Sequence, residues 1–299
     1  MYEKKYSLIM DVVMKPESVT IKSRIEASAS KLTAGERKLA TAILADYPYA
    51  GLTSIQELSH RSEVSTASIS RFVTKIGLSG YQEFQKGLIG ELKDGDRSPI
   101  EMHDGPRTIE GGYLSDFLQK TVAQMAMAGD AITEDQFDRI CTALAARKRS
   151  VYAIGGRISD TIAAHLTFHL RQARERVFHI PQSSEQWPDY LLRMKQGDIL
   201  FLVDFRRYQN TLENLARTAQ EERGVQIILM TDKWISPVAR HSNEVLAVPI
   251  ESGTLWDTYS AALAVTEAIV TRIAEDNWDA TRARIEAWDR LRHLERPIK

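Results

Sequence analysis

A repeated alternation of short apolar runs with amphipathic stretches constrains what the chain can fold into from Ser150 onward. The apolar runs are residues 151–154, 177–180, 199–203, 225–230 and 245–248. The stretches between them are residues 159–173, 187–194, 209–222 and 237–241. Runs that are apolar throughout, rather than at every second residue, are typical of strands buried on both faces of a parallel sheet. The alternation therefore predicts an α/β domain with a doubly wound parallel sheet.

The rest of the chain is predicted to be helical. Residues 20–93 carry helical periodicity throughout, and two more helices are expected at residues 113–129 and 134–146. Residues 94–112 are rich in Gly, Pro and Asp and lack apolar periodicity, which indicates a linker. Two further helices, at residues 254–274 and 281–294, close the chain. We therefore expect an all-α domain at residues 20–93, a linker at 94–112, the α/β domain at 113–275 and a C-terminal helix at 276–299.

The composition of the 299 residues excludes several classes of protein. No stretch approaches the roughly 20 uninterrupted apolar residues of a membrane helix, and no signal peptide is evident, so we expect a cytoplasmic protein with no membrane partner. The single cysteine, Cys141, excludes an internal disulfide and a cysteine-based zinc site within one chain, and we expect it in a helix core. A net charge of −1 gives no overall attraction to nucleic acid, so a DNA-binding surface must be locally basic.

A capping box begins one helix of the first domain. The hydroxyl of Thr33 is placed to cap this helix, and Glu36 is placed to reach back to it. Apolar Leu39 and Ile43 share one face, and the helix is expected to stop near Pro48. We expect this helix to pack within a small bundle.

Two short helices joined by a tight turn are predicted between Ser54 and Gly80. Ser54 and Ser65 are placed to cap the two helices, residues 61–63 supply the turn, and Gly77 ends the second helix. The inward positions of the second helix are all apolar: Ile69, Phe72, Val73 and Ile76. Two short helices with apolar residues only on their inner faces form the helix-turn-helix pattern.

The outward side of this second helix is small and polar and carries two cations. The residues that we expect to contact DNA are Ser65, Thr66, Ser68, Arg71 and Lys75. Short hydroxyl side chains let the start of a helix enter a major groove, where Arg71 suits guanine or phosphate and Lys75 suits phosphate. Because Ser and Thr are common at any helix start, a bundle helix without a DNA-binding role stays the alternative.

Residues 21–92 resemble the N-terminal domain of the RpiR/MurR family of transcription regulators. The resemblance is carried by residues 32–37, 55–58, 64–72 and 75–84. It implies a helix-turn-helix that binds double-stranded operator DNA. Glu63 departs from the glycine that such turns usually contain. Because a residue other than glycine seldom adopts a positive φ, we expect a mildly strained or locally altered turn at Glu63.

Three loops follow strands of the predicted sheet at its carboxyl edge, where doubly wound domains bind their ligands. They are residues 155–160, 204–211 and 231–237. The residues that we expect to bind a ligand are Gly155, Gly156, Arg157, Ser159, Arg206, Tyr208, Thr211, Thr231, Ser236 and Glu251. The sequence thus predicts a small-molecule site at this edge.

Residues 113–274 resemble the sugar isomerase (SIS) domain that the same family carries. The Gly155–Gly156 turn with Ser159 and the third loop match, and the resemblance implies a phosphosugar held by hydroxyls and backbone amides. The second loop departs, because Asp204 would repel a phosphate and bulky side chains follow it. Arg206 and Arg207 either hold a phosphate or carboxylate by bidentate contacts or serve a structural or interface role. We expect a small anionic effector, with a phosphosugar as one candidate.

No catalytic residue, metal site or cofactor is predicted. The turn at Gly155 lacks the further glycines of a dinucleotide-binding loop. His165 and His169 are four residues apart on one helix, but no third metal ligand is evident, so helix packing is expected. Glu251 follows the fifth strand, where SIS isomerases place acid–base chemistry. Without a paired base, we interpret Glu251 as a ligand or capping residue.

A homodimer or homotetramer is expected, because paired recognition helices read two half-sites of an operator. The apolar stripe of Trp278, Ile285, Trp288 and Leu291 suits domain closure and a dimer interface equally. The leading hypothesis is a non-enzymatic transcription regulator controlled by a metabolite. The alternatives are a sugar-phosphate isomerase with an added helical domain, and an interaction protein with a vestigial pocket.

Overall fold

The computed structural model describes residues 20–45, 47–96, 99–102, 109 and 112–292. The chain divides into two compact units, residues 1–101 and 102–299. In the described residues of the first unit, the α-helices are α1 Ile21–Ser28, α2 Ala34–Ala45, α3 Ile55–Ser62, α4 Thr66–Lys75 and α5 Tyr81–Asp96. A short helix, α6 Pro99–Met102, spans the boundary, and its last residue, Met102, belongs to the second unit. Short 3₁₀ turns occupy Ala29–Lys31 and Tyr49–Leu52. Part of the expected linker is therefore helical, because no proline interrupts α5 before Pro99.

The first unit has a core of fully buried apolar side chains contributed by α2, α3, α4 and α5. They include Leu39, Ile43, Leu58, Ile69, Phe72, Phe84 and Leu88. The predicted capping box is confirmed: the Thr33 amide donates to Glu36 Oε2 at 2.7 Å, and the Glu36 amide lies 3.4 Å from Thr33 Oγ1. Ser54 and Ser65 cap α3 and α4 as expected. Each cap satisfies an amide that has no partner inside its own helix.

The turn between α3 and α4 has the positive-φ backbone conformation that was expected at Glu63. Glu63 adopts a left-handed conformation with φ 51° and ends α3. Its amide donates to His60 O, and the next amide, of Val64, donates to Ser59 O at 3.2 Å. Its carboxylate pairs with Lys38. These contacts hold a residue other than glycine in a conformation that costs on the order of 1 kcal/mol or more.

A buried carboxylate ties the two ends of the first unit together. Glu91, on α5, accepts hydrogen bonds from the Ile21 amide at 2.6 Å and from the Tyr47 hydroxyl. Tyr47 in turn accepts from the Lys22 amide at 3.1 Å. Burial raises the pKa of Tyr47, so its hydroxyl stays a neutral donor. The start of α1 is thus fixed to α5 by groups that lie 70 residues apart.

The second unit is built on a five-stranded sheet, and the predicted α/β architecture is confirmed. The strands are β1 Val151–Gly155, β2 Val177–His179, β3 Ile199–Asp204, β4 Gln226–Thr231 and β5 Glu244–Ala247. Their order is β2-β1-β3-β4-β5, and all pairs are parallel. The helices are α7 Tyr113–Ala131, α8 Glu134–Ala145, α9 Asp160–Ala173, α10 Trp187–Arg193, α11 Asn210–Arg223, α12 Ser260–Asp276 and α13 Trp278–Arg292. Further 3₁₀ turns occupy Ser184–Gln186 and Pro237–His241.

Helices cover both faces of the sheet, as the continuous apolar runs predict. On one face, alternate strand residues such as Phe201 pack with α8, α9 and α12. On the other face, residues such as Leu200 pack with α10 and α11. Because both faces are covered, polar side chains of the central strands are confined to the strand ends.

Two details of the second unit bear on the expectations. The helix expected to begin at residue 254 begins instead at Ser260, because Ser252 and Thr254 bond to the carbonyl of Trp256 and hold a loop. Cys141 is buried in the core beside α9 and α12, as expected, and burial raises the pKa of its thiol to about 11. Among the described residues, no helix combines the length and apolar character needed to cross a membrane.

Gly155, where β1 turns toward α9, leaves no room for a side chain because backbone lies against it. A methyl group on Gly155 would lie 2.6 Å from the backbone nitrogen of Asp160. We expect Gly155→Ala to lower the free energy of unfolding of the second unit by about 1–3 kcal/mol, because backbone must move to relieve this overlap. Tryptophan fluorescence during urea unfolding measures the change, since all five tryptophans lie in the second unit.

Gly129→Ala on α7 is the matched control. No atom lies within 4 Å of a methyl group at that position. Alanine is favoured over glycine in a helix by about 0.5–1 kcal/mol, so this variant is expected to be as stable as the parent or slightly more so. Equal unfolding midpoints for the two variants would contradict the steric argument.

Candidate functional site

Helix α4 of the first unit has one apolar face and one polar face. Ile69, Phe72 and Val73 are fully buried. The exposed residues of α4 are Thr66, Ala67, Ser70, Arg71, Thr74 and Lys75. Four of the five predicted DNA contacts, Ser65, Thr66, Arg71 and Lys75, are exposed, and Ser68 is half-buried.

The hydroxyl groups at the start of α4 are already hydrogen-bonded to one another. Ser65 Oγ accepts from the Ser68 amide and lies 3.0 Å from Ser68 Oγ. Arg71 Nη2 donates to Ser68 Oγ at 3.0 Å. Arg71 therefore lies back along the helix and rests on a neutral hydroxyl. Exchange of this neutral partner of Arg71 for a charged or bidentate partner costs little free energy.

Lys75 has a partner that sequence reasoning missed. Its Nζ lies 2.6 Å from Oε2 of Glu36, the carboxylate that also caps α2. The hydrogen bond from Lys75 is the main cause of a lowered pKa for Glu36. The pairing joins residues 39 positions apart in the sequence, so only the folded bundle reveals it.

The first loop of the second unit is held closed by its own side chains. Ser159 Oγ accepts from the Gly156 amide at 2.9 Å and donates to the Val203 carbonyl at 2.8 Å. Asp160 accepts from the Gly155 amide at 2.8 Å and lies 3.0 Å from His179 Nε2. Ser159, expected to bind ligand, thus also fixes β1 to β3. Asp160 and His179 were not among the predicted site residues.

Asp204, at the end of β3, is buried and surrounded by the other predicted hydroxyls. Ser236 Oγ donates to its carboxylate at 2.5 Å, and Thr231 Oγ1 donates to its carbonyl at 2.7 Å. Both Thr231 and Ser236 are fully buried. A methyl group on Gly156 would lie 3.6 Å from Asp204 Oδ1, so the carboxylate borders the first loop. Burial raises the pKa of Asp204 to about 7.

Arg206 is buried among two carboxylates and an aromatic ring. Only 5% of its side chain is exposed. Its Nη2 lies 3.3 Å from Glu251 and its Nε 3.4 Å from Asp257. Its guanidinium carbon lies 3.9 Å from the centre of the Trp234 ring, and its Nη1 lies 3.4 Å from the sulfur of Met102. The structure therefore brings together the predicted residues Arg206 and Glu251 and adds Asp257 and Trp234.

Asp232 connects the second and third loops. Its fully buried carboxylate accepts from the Arg206 amide at 2.6 Å, from the Trp234 amide at 3.1 Å and from the Tyr208 hydroxyl. Burial raises the pKa of Asp232 and that of Tyr208. Asp232 therefore holds the predicted ligand residue Tyr208 in place. Asp232 lies in the third predicted loop but was not among the predicted ligand-binding residues.

The remaining predicted residues lie outside this network. Arg157 and Thr211 are exposed, and Arg207 is exposed with φ 67°. The rings of His165 and His169 are 4.5 Å apart, and Glu267 lies 3.6 Å from His165. No cluster of three or more His, Cys, Asp or Glu that suits a metal ion occurs in the part of the chain that the structure describes.

Comparison with known proteins matches both units. The model of the helix-turn-helix domain of the rpiR family matches residues 19–95, and the SIS domain model matches residues 144–272. An HTH-type transcriptional regulator of Caldanaerobacter subterraneus is 27% identical over 236 residues, which are 76% of this chain and 79% of the relative. One of Thermotoga maritima is 24% identical over 232 residues, 75% of this chain and 79% of the relative.

Solved structures share the fold at low sequence identity. The sugar isomerase domain of an RpiR transcription factor from Sphaerobacter thermophilus is 17% identical, with a TM-score of 0.55 over 59% of this chain and 98% of that one. The Vibrio vulnificus NanR protein, complexed with ManNAc-6P, is 17% identical, with a TM-score of 0.53 over 92% of this chain and 99% of that one. These likenesses show that the fold is shared.

The two matched segments together cover more than half of the chain, in the order in which its two units occur. The first is the bundle that presents α4, and the second is the parallel sheet whose carboxyl edge carries the buried polar network. The chain carries a helix-turn-helix domain of the rpiR family followed by a SIS domain, and the relatives that share most of its length are HTH-type transcriptional regulators.

Proposed function

We propose that this protein binds operator DNA through α4 and that a small anionic metabolite, bound at the carboxyl edge of the sheet, changes its affinity for DNA. The observation that carries the DNA-binding part is the division of α4 into two faces. Its buried face anchors the helix through Ile69, Phe72 and Val73. Its outward face carries only short polar side chains, alanine and two cations. A helix of this kind fits a major groove, where short side chains allow close approach.

Arg71 is the residue that we expect to read a base. It is exposed in the second turn of α4 and is held by one neutral hydrogen bond to Ser68. A guanidinium can form two parallel hydrogen bonds with guanine. Exchange of one neutral hydrogen bond for two such bonds favours the DNA-bound position.

We expect Arg71→Ala to weaken binding to the specific site by about 1–3 kcal/mol while leaving the fold intact. The site is first obtained by selection from random DNA with the full-length protein. Titration of labelled DNA then measures the dissociation constant of each variant at one salt concentration.

Lys86→Ala on α5 removes the same charge from another exposed position and is the matched control. We expect it to weaken specific and random DNA about equally, so that the ratio of the two affinities is unchanged. An Arg71→Ala protein with an unchanged ratio would remove Arg71 from base recognition.

Glu36 acts as an internal counterion for Lys75 at 2.6 Å, and we propose that operator phosphate competes with it. Glu36→Gln keeps an acceptor for the Thr33 amide but removes the charge that holds Lys75. We expect the variant to bind DNA more tightly at low salt. The slope of log affinity against log salt should steepen by about one unit, because one more cation becomes available to phosphate.

Glu26→Gln on α1 serves as the control for loss of one negative charge from the first unit. A general electrostatic effect would change the salt dependence of DNA binding equally in Glu36→Gln and Glu26→Gln. If the slope for Glu36→Gln equals that of the parent, Lys75 does not reach phosphate.

The effector is proposed to be a sugar phosphate held near the first loop. The starts of α9 and α11 lie at the carboxyl edge of the sheet, after β1 and β3, and helix starts favour anions. NanR, which shares this fold, forms a complex with ManNAc-6P. This compound is therefore the first probe.

We infer that the metabolite is bound and not converted. The relatives bear the names of transcriptional regulators. Glu251, at the position where an acid–base group was considered, pairs with both Arg206 and Lys233. Both of its carboxylate oxygens are thus engaged by cations and not directed at a substrate proton. Interconversion of an aldose phosphate and a ketose phosphate by the purified protein would favour the isomerase alternative.

A panel of sugar phosphates that includes ManNAc-6P tests the effector. We expect at least one compound to raise the melting temperature of the second unit, followed by tryptophan fluorescence, and to change DNA affinity by about fivefold or more. Inorganic phosphate, which carries the charge without the sugar, is the control. A panel without any effect on DNA affinity would contradict metabolite control and leave DNA binding intact.

We further propose a homodimer or homotetramer that works in the cytoplasm, where bacterial operator DNA lies. Leu114, Leu118, Val122 and Met125 form an exposed apolar stripe on α7. Contiguous exposed apolar surface is typical of protein–protein contacts. Light scattering measures the mass of the assembly, and a monomer in complex with a full operator would contradict the proposal.

A further inference from the structure

Four side chains at the end of the sheet form a group that the anion-binding hypothesis does not explain. We call Arg206, Trp234, Glu251 and Asp257 the Arg206 cluster. Arg206 follows β3, Trp234 follows β4, and the two carboxylates follow β5. Lys233 pairs with Glu251 at the border of the cluster.

The positive charge of Arg206 is already compensated by neighbouring carboxylates. Two carboxylates lie 3.3 and 3.4 Å from the guanidinium of Arg206. Asp232, whose carboxylate accepts from the Arg206 amide, adds further negative charge nearby. An anion placed on Arg206 would meet these carboxylates in a buried setting where repulsion is weakly screened. The cluster therefore disfavours the phosphate or carboxylate contact that the sequence suggested for Arg206.

Three polar atoms of the cluster nonetheless lack hydrogen bonds. Nε and Nη2 of Arg206 and Oδ1 of Asp257 are buried without a hydrogen-bond partner among the described residues. Their carboxylate neighbours are close enough for ion pairing but are not aligned for hydrogen bonds. Buried donors and acceptors in this state cost about 1–3 kcal/mol each, so a group that satisfies them would bind favourably.

The unpaired atoms specify the chemistry of such a group. It must accept a hydrogen bond from Arg206 and donate one to Asp257. A carboxylate cannot donate, and an ammonium cannot accept. A phosphate can keep a donating hydroxyl near neutral pH, but the negative charge of Glu251 and Asp257 disfavours it here. A hydroxyl group does both, and adjacent hydroxyls on one ring match a planar guanidinium beside a carboxylate.

We propose that the Arg206 cluster is a subsite for the neutral hydroxyl groups of a sugar. The inference rests on the proposed function, because it assigns this end of the site to the sugar and leaves the phosphate to the first loop. The spacing is suitable. Strand β4, which precedes Trp234, lies two strands from β1, which precedes the first loop. Two strand spacings are about 10 Å, which is comparable to the length of a sugar phosphate.

The test follows the indole N–H signal of Trp234 in the full-length protein by nuclear magnetic resonance, assigned with Trp234→Phe. The probes are unphosphorylated monosaccharides, which carry hydroxyls without an anion, and inorganic phosphate, which carries an anion without a sugar. We expect at least one monosaccharide to shift the Trp234 signal at millimolar concentration. Inorganic phosphate is expected to leave it unchanged.

Asp257→Asn preserves the shape of the side chain and replaces its acceptor charge. We expect it to weaken the monosaccharide effect about tenfold or more, with Asp189→Asn on α10 as the exposed control. A Trp234 signal that responds to phosphate, or to none of the monosaccharides, would overturn the proposal. So would equal monosaccharide affinity in the parent and in Asp257→Asn.

Glu251→Gln provides an independent check that does not disturb Asp257. The proposal states that carboxylates keep anions away from Arg206, so loss of this charge should let inorganic phosphate shift the Trp234 signal. An unresponsive Glu251→Gln protein would contradict the charge argument. If a monosaccharide binds the cluster while no sugar phosphate of the panel changes DNA affinity, the subsite is supported and metabolite control is contradicted, so the two failures are distinguishable.

Discussion

Burial of the parallel sheet on both faces is the constraint on which the second unit depends. Residues such as Leu200 and Phe201 point to opposite apolar layers, so the central strands offer no place for polar chemistry along their length. Polar groups collect where the strands end, and there they must satisfy one another. Asp232 shows the result, because a single buried carboxylate accepts from the amides of Arg206 and Trp234 and from a tyrosine hydroxyl. The carboxyl edge is therefore a rigid network and not a set of free side chains.

The first unit separates stability from recognition in a similar way. The buried face of α4 joins the core, and the cap at Ser65 fixes where the helix begins. Recognition is left to outward residues that contribute little to the core. Glu36 is the exception, because it caps α2 and also holds Lys75. One carboxylate thus links the start of a structural helix to a residue of the proposed DNA-facing surface.

Sequence patterns predicted the elements well and the pairings poorly. The five strands and the caps at Thr33, Ser54 and Ser65 follow from local periodicity and capping chemistry, which neighbouring residues determine. The contact of Lys75 with Glu36 and that of Arg206 with Asp257 join residues far apart in the chain, so only the packed structure shows them. For this reason the sequence leaves Arg206 open between contact with an anion and a structural role. The loop before α12 was also missed, because its hydroxyl-to-carbonyl bonds leave no periodic signal.

The carboxyl group of Asp204 binds a proton more tightly in the folded protein than in the unfolded chain. Burial raises its pKa to about 7 from an ordinary value near 4. The native state therefore holds a proton that the unfolded chain releases. For this group alone, the contribution to stability is complete below about pH 4 and is lost as the pH rises toward 7. Near neutral pH the carboxyl is divided between its two forms, so the charge beside the first loop varies with the acidity of the medium.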